Sequence, residues 1–145
     1  MSVFISIDPG NKKCGLLLAD MESGNIIEAG ISSLNKFSNV VSLWNEEYNV
    51  NKIVIGDGTN CKYIEKELSQ NNISNWIYVD ERGSTLRARF RYWEIWPPSC
   101  LIRWLPKEIL FPPKNLDAVV ALILLEDFLK YTFIWPKKVN IKIWL

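Results

Sequence analysis

The amino-acid sequence predicts an α/β fold, a mixed five-stranded sheet in which an antiparallel meander lies beside parallel strands, flanked by helices. Three observations carry this expectation. Residues 3–33 hold three short apolar runs parted by the turn signals Asp8-Pro9-Gly10 and Glu22-Ser23-Gly24-Asn25, the pattern of strands joined by short turns. From residue 37 onward, short apolar runs alternate with segments of helical period, so the later strands are joined through helices and can lie parallel. The first run, residues 3–7, is apolar except at Ser6, as in a strand covered on both faces.

The elements follow in order. Strands are expected at 3–7, 14–19 and 26–32. Phe37, Val40, Val41, Trp44 and Tyr48 recur at spacings of 3, 1, 3 and 4, which predicts an amphipathic helix. A fourth strand over 52–55 is closed by Gly56-Asp57-Gly58, after which Thr59 or Asn60 can cap a helix running to about Gln70. A fifth strand over 76–79 ends at Asp80-Glu81, and Ser84 can cap a helix over 85–94 with Leu86, Phe90 and Trp93 on its buried face. Prolines at 97, 98, 106, 112 and 113 break up the next segment. Asn115 can cap a last helix over 116–130, apolar nearly all round after Asp117. One domain over 1–131 and a tail over 132–145 are expected. The alternation of Ile141, Ile143 and Leu145 makes the tail an edge-strand candidate, docked on the sheet or on a second subunit.

Composition narrows the chemistry. The 145 residues suffice for one buried core, and no apolar run approaches the ~18 residues of a membrane span. The opening Met1-Ser2-Val3-Phe4-Ile5 lacks a basic leader region, and Cys14, Cys61 and Cys100 form no Cys-x-x-Cys pair. These features predict a cytoplasmic protein with free thiols and no membrane contact. The chain has no histidine, which removes Ser-His and Cys-His nucleophile pairs, His-ligated zinc and the commonest general base. Carboxylates, lysines or hydroxyls must then do any chemistry, which points to metal-assisted hydrolysis or phosphoryl transfer. Residues 1–81 carry 6 Lys+Arg against 11 Asp+Glu, whereas residues 82–145 carry 11 against 5, an acidic half joined to a basic one.

Asp8 ends the first strand, Glu81 follows the fifth and Asp117 lies in the first turn of the last helix. With strands one, four and five parallel, Asp8, Asp57 and Glu81 fall at their carboxyl ends, where open α/β sheets place sites. Carboxylate oxygens are the ligands that magnesium and manganese prefer. Capping is the competing role for such residues, since aspartates favour strand-end turns and first helical turns for local reasons.

Ile5-Ser6-Ile7-Asp8-Pro9-Gly10, followed by Lys12, Lys13 and Gly15, resembles the opening of the RuvC-type and YqgF-type Holliday-junction resolvase-like proteins. Val79-Asp80-Glu81-Arg82 with Ser84-Thr85 resembles the strand-end segment of the YqgF group, and Asp117-Ala118-Val119-Val120-Ala121-Leu122 the helix bearing the last catalytic aspartate. Ile55-Gly56-Asp57-Gly58-Thr59 is similar to a stretch of the YqgF-like domain in Tex-type RNA-binding factors. The resemblance implies an RNase H-like fold with Asp8, Glu81 and Asp117 as catalytic, metal-binding acids for one or two Mg2+ or Mn2+ ions. It implies water activation and stabilisation of a leaving 3′-oxygen in an in-line displacement. Lys12 and Lys13 would lie near the phosphate. The substrates implied are branched DNA, as for a Holliday-junction resolvase, or structured RNA, as in pre-rRNA processing. RuvC-type enzymes carry a further acid one helical turn beyond the last aspartate, where this chain has Val120.

Arg87 and Arg91 lie four apart on the helix after Glu81, with Arg82 nearby, and arginine forks suit phosphate. They are expected to bind nucleic acid; the alternative is a solvated helix face. Trp93, Trp96, Trp104, Trp135 and Trp144 fall in the basic half and can stack bases, form a homodimer seam or pack beneath the proline-rich segment. Two rival functions stand beside the nuclease: a catalytically inactive nucleic-acid-binding domain of the same fold, and an actin-like phosphotransferase fragment. The last needs two duplicated domains, and 145 residues supply one.

Overall fold

A computed structural model describes residues 2–106, 110, 112 and 116–145. The strands are β1 (Val3–Asp8), β2 (Lys13–Asp20), β3 (Asn25–Ser33), β4 (Val50–Gly56), β5 (Trp76–Val79) and β6 (Ile141–Trp144), and the helices are α1 (Phe37–Glu47), α2 (Cys61–Gln70), α3 (Ser84–Ile95) and α4 (Asp117–Leu129). They form one mixed sheet in the order β5-β4-β1-β2-β3-β6. β1, β2 and β3 make the antiparallel meander, while β4 runs parallel to β1 and β5 parallel to β4.

The sheet has six described strands, one more than the five expected, because Ile141–Trp144 of the tail pairs parallel with β3. The apolar alternation there does not mark a buried face. Ile143 and Leu145 are 68% and 66% exposed. What anchors the strand is Trp144, whose ring meets Trp44 edge-on at 5.8 Å and lies over Gly30, where a Cβ would stand 2.5 Å from the indole.

Each face of β1 buries a different layer. Val3, Ile5 and Ile7 pack with Phe37, Val41, Trp44, Ile64 and Leu68 of α1 and α2. Phe4 faces α4, whose residues 118–125 are all buried, and the neighbouring layer includes Ala88, Tyr92 and Trp93 of α3. Ser6, the polar interruption in an apolar strand, has no exposed surface, and its Oγ donates to the Ala121 carbonyl at 2.6 Å. Sheet and α4 are thereby joined by a bond that a buried hydroxyl needs anyway.

The expected caps are partly redrawn. Asn60 occupies the N-cap of α2, but its amide donates to the Gly10 carbonyl at 2.7 Å instead of capping, tying the loop after β1 to the loop after β4. Gly83, with φ of 73°, precedes α3, and Ser84 lies inside the helix with its Oγ donating to Glu81 O at 2.6 Å. Asn115, the expected cap of α4, lies outside the described residues. The buried face of α3 is Ser84, Ala88, Tyr92 and Trp93, with Leu86 52% exposed, so the expected Leu86 face is corrected by about a third of a turn.

That rotation turns the arginines of α3 toward α4. Arg87 makes a two-point pair with Asp127 at 2.7 and 2.6 Å. Arg91 grips Glu126 at 3.1 Å through two nitrogens and donates to Phe133 O at 2.8 Å, while the Glu126 carboxylate also accepts the Phe133 N–H at 2.7 Å. The Arg91–Glu126 side chains are 13% and 11% exposed, against 50% and 35% for Arg87–Asp127. A buried pair deprived of one partner leaves an uncompensated charge at about 3–5 kcal/mol, whereas an exposed pair is worth about 0–1 kcal/mol. Urea unfolding should therefore show Arg91→Ala to be strongly destabilising and Arg87→Ala nearly neutral.

Candidate active site

The three parallel strands deliver their carboxyl ends to one sheet edge, since Ile7 pairs with Ile55 and Gly56 with Val79. Asp8 stands at the end of β1, Asp57 follows β4 and Glu81 follows β5. β5 lies two strands from β1, about 10 Å away at ~4.8 Å per strand, so Glu81 must reach across β4. The Gly-Asp-Gly turn makes room for that reach. A Cβ at Gly58 would collide with the Glu81 carboxylate, and one at Gly56 would stand 2.7 Å from Glu81 Oε2, 3.0 Å from Leu124 Cδ1 and 3.3 Å from Pro9 Cδ. Around Gly56 the loop after β1, the residue after β5 and helix α4 thus meet. Asp57 holds the turn by accepting the Glu81 N–H at 3.2 Å.

Asp117 arrives by a second close approach. Gly15 is the register partner of Asp8 on β2, and a Cβ there would overlap the backbone carbonyl of Asp117. The bare glycine lets the first turn of α4 seat against the sheet beside Asp8. Sequence reading saw these glycines as turn signals and motif positions; their Cβ-free contacts with the acids appear only in three dimensions.

The electrostatics mark Asp8 as the centre. Burial, followed by the charges of Asp117 and Glu81, pushes its carboxyl up to about 8. Burial also raises Asp117, opposed by the Lys13 ammonium, and Glu81 is raised by burial and then by Asp57 and Asp80. Burial pushes the Cys14 thiol up to about 12, with Asp8 and Asp117 adding to it. Among the described residues the Asp8, Glu81 and Asp117 side chains accept no hydrogen bond and form no salt bridge. Among the described residues, Lys13 acting on Asp117 offsets these like charges only in part.

Hard carboxylate oxygens without histidine are the donors that magnesium and manganese prefer, and the Gly-Asp-Gly turn leaves room for the Glu81 carboxylate. Still, no three Cys, Asp or Glu side chains among the described residues converge closely enough to hold one ion as they stand. The structure brings Asp117 and Glu81 each into electrostatic range of Asp8 and leaves the three short of ligation. Val120, one helical turn beyond Asp117, is 4% exposed and packed in the core.

The basic residues divide into three groups. Lys12 and Lys13 are exposed where the loop after β1 enters β2. Arg82 is exposed and pairs with Asp80 at 3.0 Å, an association that solvent weakens. Arg87 and Arg91 are not the free phosphate forks expected of them, because both are engaged by α4 carboxylates. The apolar groove beside α1, lined by Leu43, Trp44 and Trp144 among others, contains none of the three site acids.

The described architecture is an RNase H-like α/β fold. It is similar to the structure of RuvC from T. thermophilus in complex with a Holliday-junction substrate, with a TM-score of 0.52 and 10% identity over 84% of this chain and 89% of that one. No family model and no curated protein matches the sequence. Among the described residues, no helix is long and apolar enough to cross a membrane.

Two outcomes test the geometry. Gly15→Ala should lower the melting temperature sharply, since backbone must move, whereas Gly58→Ala should be mild, because only the far end of Glu81 is displaced. Asp8 has a folded pKa near 8 against an ordinary 3.8, so the folded state holds the proton more tightly. Its contribution to stability is full below about pH 4 and is lost as pH rises through 8. In EDTA, Asp8→Asn should leave a melting curve less sensitive to pH between 5 and 9 and more stable than wild type at pH 9.

Proposed function

We propose that the protein is a divalent-cation-dependent nuclease that hydrolyses phosphodiester bonds, with branched DNA as first substrate and structured RNA as second. The observation that carries this reading is the Asp8 carboxylate: it is desolvated at a sheet edge, raised by Asp117 and Glu81, and without a hydrogen-bond or ion-pair partner among the described residues. A fold buries an acid this way at a cost, and a divalent cation removes that cost. Asp8, Glu81 and Asp117 would hold the ion. When bound, it supplies Lewis-acid stabilisation of the charge on the phosphoryl oxygens.

The chain's own groups do the remaining work. Lys12 and Lys13, exposed beside the acids, neutralise the phosphates flanking the scissile bond. Arg82 exchanges its exposed partner Asp80 for phosphate. Glu81, half-buried and with its carboxyl raised by burial and by Asp57 and Asp80, is the group assigned to take a proton from an attacking water at its carboxylate. The RuvC likeness supports a branched substrate to the extent that the similar chain is seen with a Holliday junction.

A second reading has its own support. Val120 is sealed in the core where a further acid would stand, and the acids do not converge to ligation distance. A domain that binds nucleic acid without cutting it accommodates both observations.

A panel of four-way junctions, linear duplex and precursor-rRNA fragments with magnesium or manganese separates the two. The nuclease reading expects junction cleavage with metal and none in EDTA. Asp8→Asn should abolish cleavage and spare binding, and Gly58→Ala should cut the rate by about tenfold or more through displacement of Glu81. Binding with no cleavage of any substrate would establish the silent domain.

A further inference from the structure

Beyond the acidic edge, the C-terminal end of α3 and the chain after α4 form a groove of about 380 Å³ lined by Ile95, Trp96, Pro97, Trp135, Pro136 and Lys137. Its aromatic wall is held in place. The Trp96 ring lies 4.9 Å from Tyr92 and 5.0 Å from Trp135, and Trp135 Nε1 donates to the Val139 carbonyl at 2.8 Å. Both indoles are half-buried, so their positions are set by packing while part of each ring remains available. Lys137 and Lys138 are exposed and, among the described residues, have no acidic partner, unlike Arg87, Arg91 and Lys142. Lys138 and Pro136 continue into an adjoining groove of about 320 Å³. The acid there, Asp20, is 5% exposed, and its carboxylate accepts the backbone N–H groups of Ser2, Glu22 and Ser23.

We propose that this groove holds a single-stranded segment of nucleic acid, with a base against Trp96 and Trp135 and its phosphates on Lys137 and Lys138. The proposal rests on the reading of the chain as acting on nucleic acid and adds to it a second contact. Every base has a π-face, so indole stacking tolerates any sequence, and lysine neutralises phosphate as a point charge. α3 begins three residues after Glu81 and ends at the groove. Its 12 residues span about 18 Å at 1.5 Å each, equal to about five base-pair steps at 3.4 Å. An aromatic groove also suits a proline-rich peptide, but that ligand gives unpaired lysines no role.

End-labelled dT and rU dodecamers titrated with the full chain in EDTA, by fluorescence anisotropy over about 50–200 mM salt, test this directly. Wild type should bind with a negative salt slope. Lys137→Ala/Lys138→Ala should flatten that slope by about 1.4, at ~0.7 per single-strand phosphate contact. Trp135→Leu should weaken binding about fivefold or more with the slope unchanged; if it fails to fold, the surface double variant decides alone. Binding of either oligonucleotide with these responses supports the groove, and the stronger of the two identifies DNA or RNA. An unchanged slope and affinity in the double variant overturns it, as does a proline-rich peptide that binds where neither oligonucleotide does. Groove binding without cleavage of any substrate would remove the nuclease reading alone, and cleavage with an unaltered slope would remove the groove alone.

Discussion

The structure is organised around three carboxyl groups that its described residues leave without side-chain hydrogen bonds or salt bridges. Asp8 ends a strand whose preceding five residues are buried, and the two acids that raise it come from elements far away in sequence. Keeping them there requires three places without a Cβ. Gly15 admits the first turn of α4, and Gly56 and Gly58 admit the Glu81 carboxylate. Each glycine gives up backbone order that an alanine would have favoured. Nothing in sheet geometry alone calls for such close approaches on both sides of one aspartate. The edge is therefore better understood as a site that the packing serves than as three acids left over at strand ends.

The packing behind the edge is correspondingly rigid. α4 carries Asp117 in its first turn and is buried without a break from Ala118 to Leu125. It is joined to β1 by the Ser6 hydroxyl, and to α3 and the tail by the Arg91–Glu126–Phe133 network. Because α3 follows Glu81 and α4 carries Asp117, the pairs between these helices relate two of the acids to each other from the opposite end of the layer. A buried hydrogen-bonded network of this kind permits few alternative arrangements. Arg87 and Arg91 of the basic half thus help to hold the two helices in register.

How much was legible follows from the range of each signal. Local periodicity and turn chemistry were enough for β1 through β5, for α1 and α2, and for the placement of Asp8, Asp57 and Glu81 at one sheet edge, because strand direction follows from the helical connections; strand direction says nothing of Asp117, which lies on a helix and joined them through the family resemblance. The face of α3 was not legible. Arg87 and Arg91 look like a solvent-facing or phosphate-facing pair until Asp127 and Glu126, 40 and 35 residues onward, are folded against them. The strand of the tail was visible as alternation, but its anchor is the partly buried Trp144 and not the alternating Ile143 and Leu145, since an edge strand with one open side need not bury the usual face. The glycines were visible as turns, and only the folded chain shows that their missing Cβ atoms, more than their dihedral freedom, matter at the site.

If the proposed function holds, Val120 makes the balance between cutting and binding a question of charge density. A fourth acid one turn beyond Asp117 would add repulsion to an edge where Asp8 is already held near neutrality, and only a second cation would compensate it. With valine there, packed against the core, the edge needs less positive charge to become stable. A single ion held chiefly through Asp8 would relieve most of the strain, and Lys13 already relieves part of it at Asp117. The remaining phosphate charge must then be met by the exposed Lys12, Lys13 and Arg82. On that proposal, distribution of positive charge between ion and side chains, more than the count of acids, would decide whether a phosphodiester at this edge is merely held or also hydrolysed.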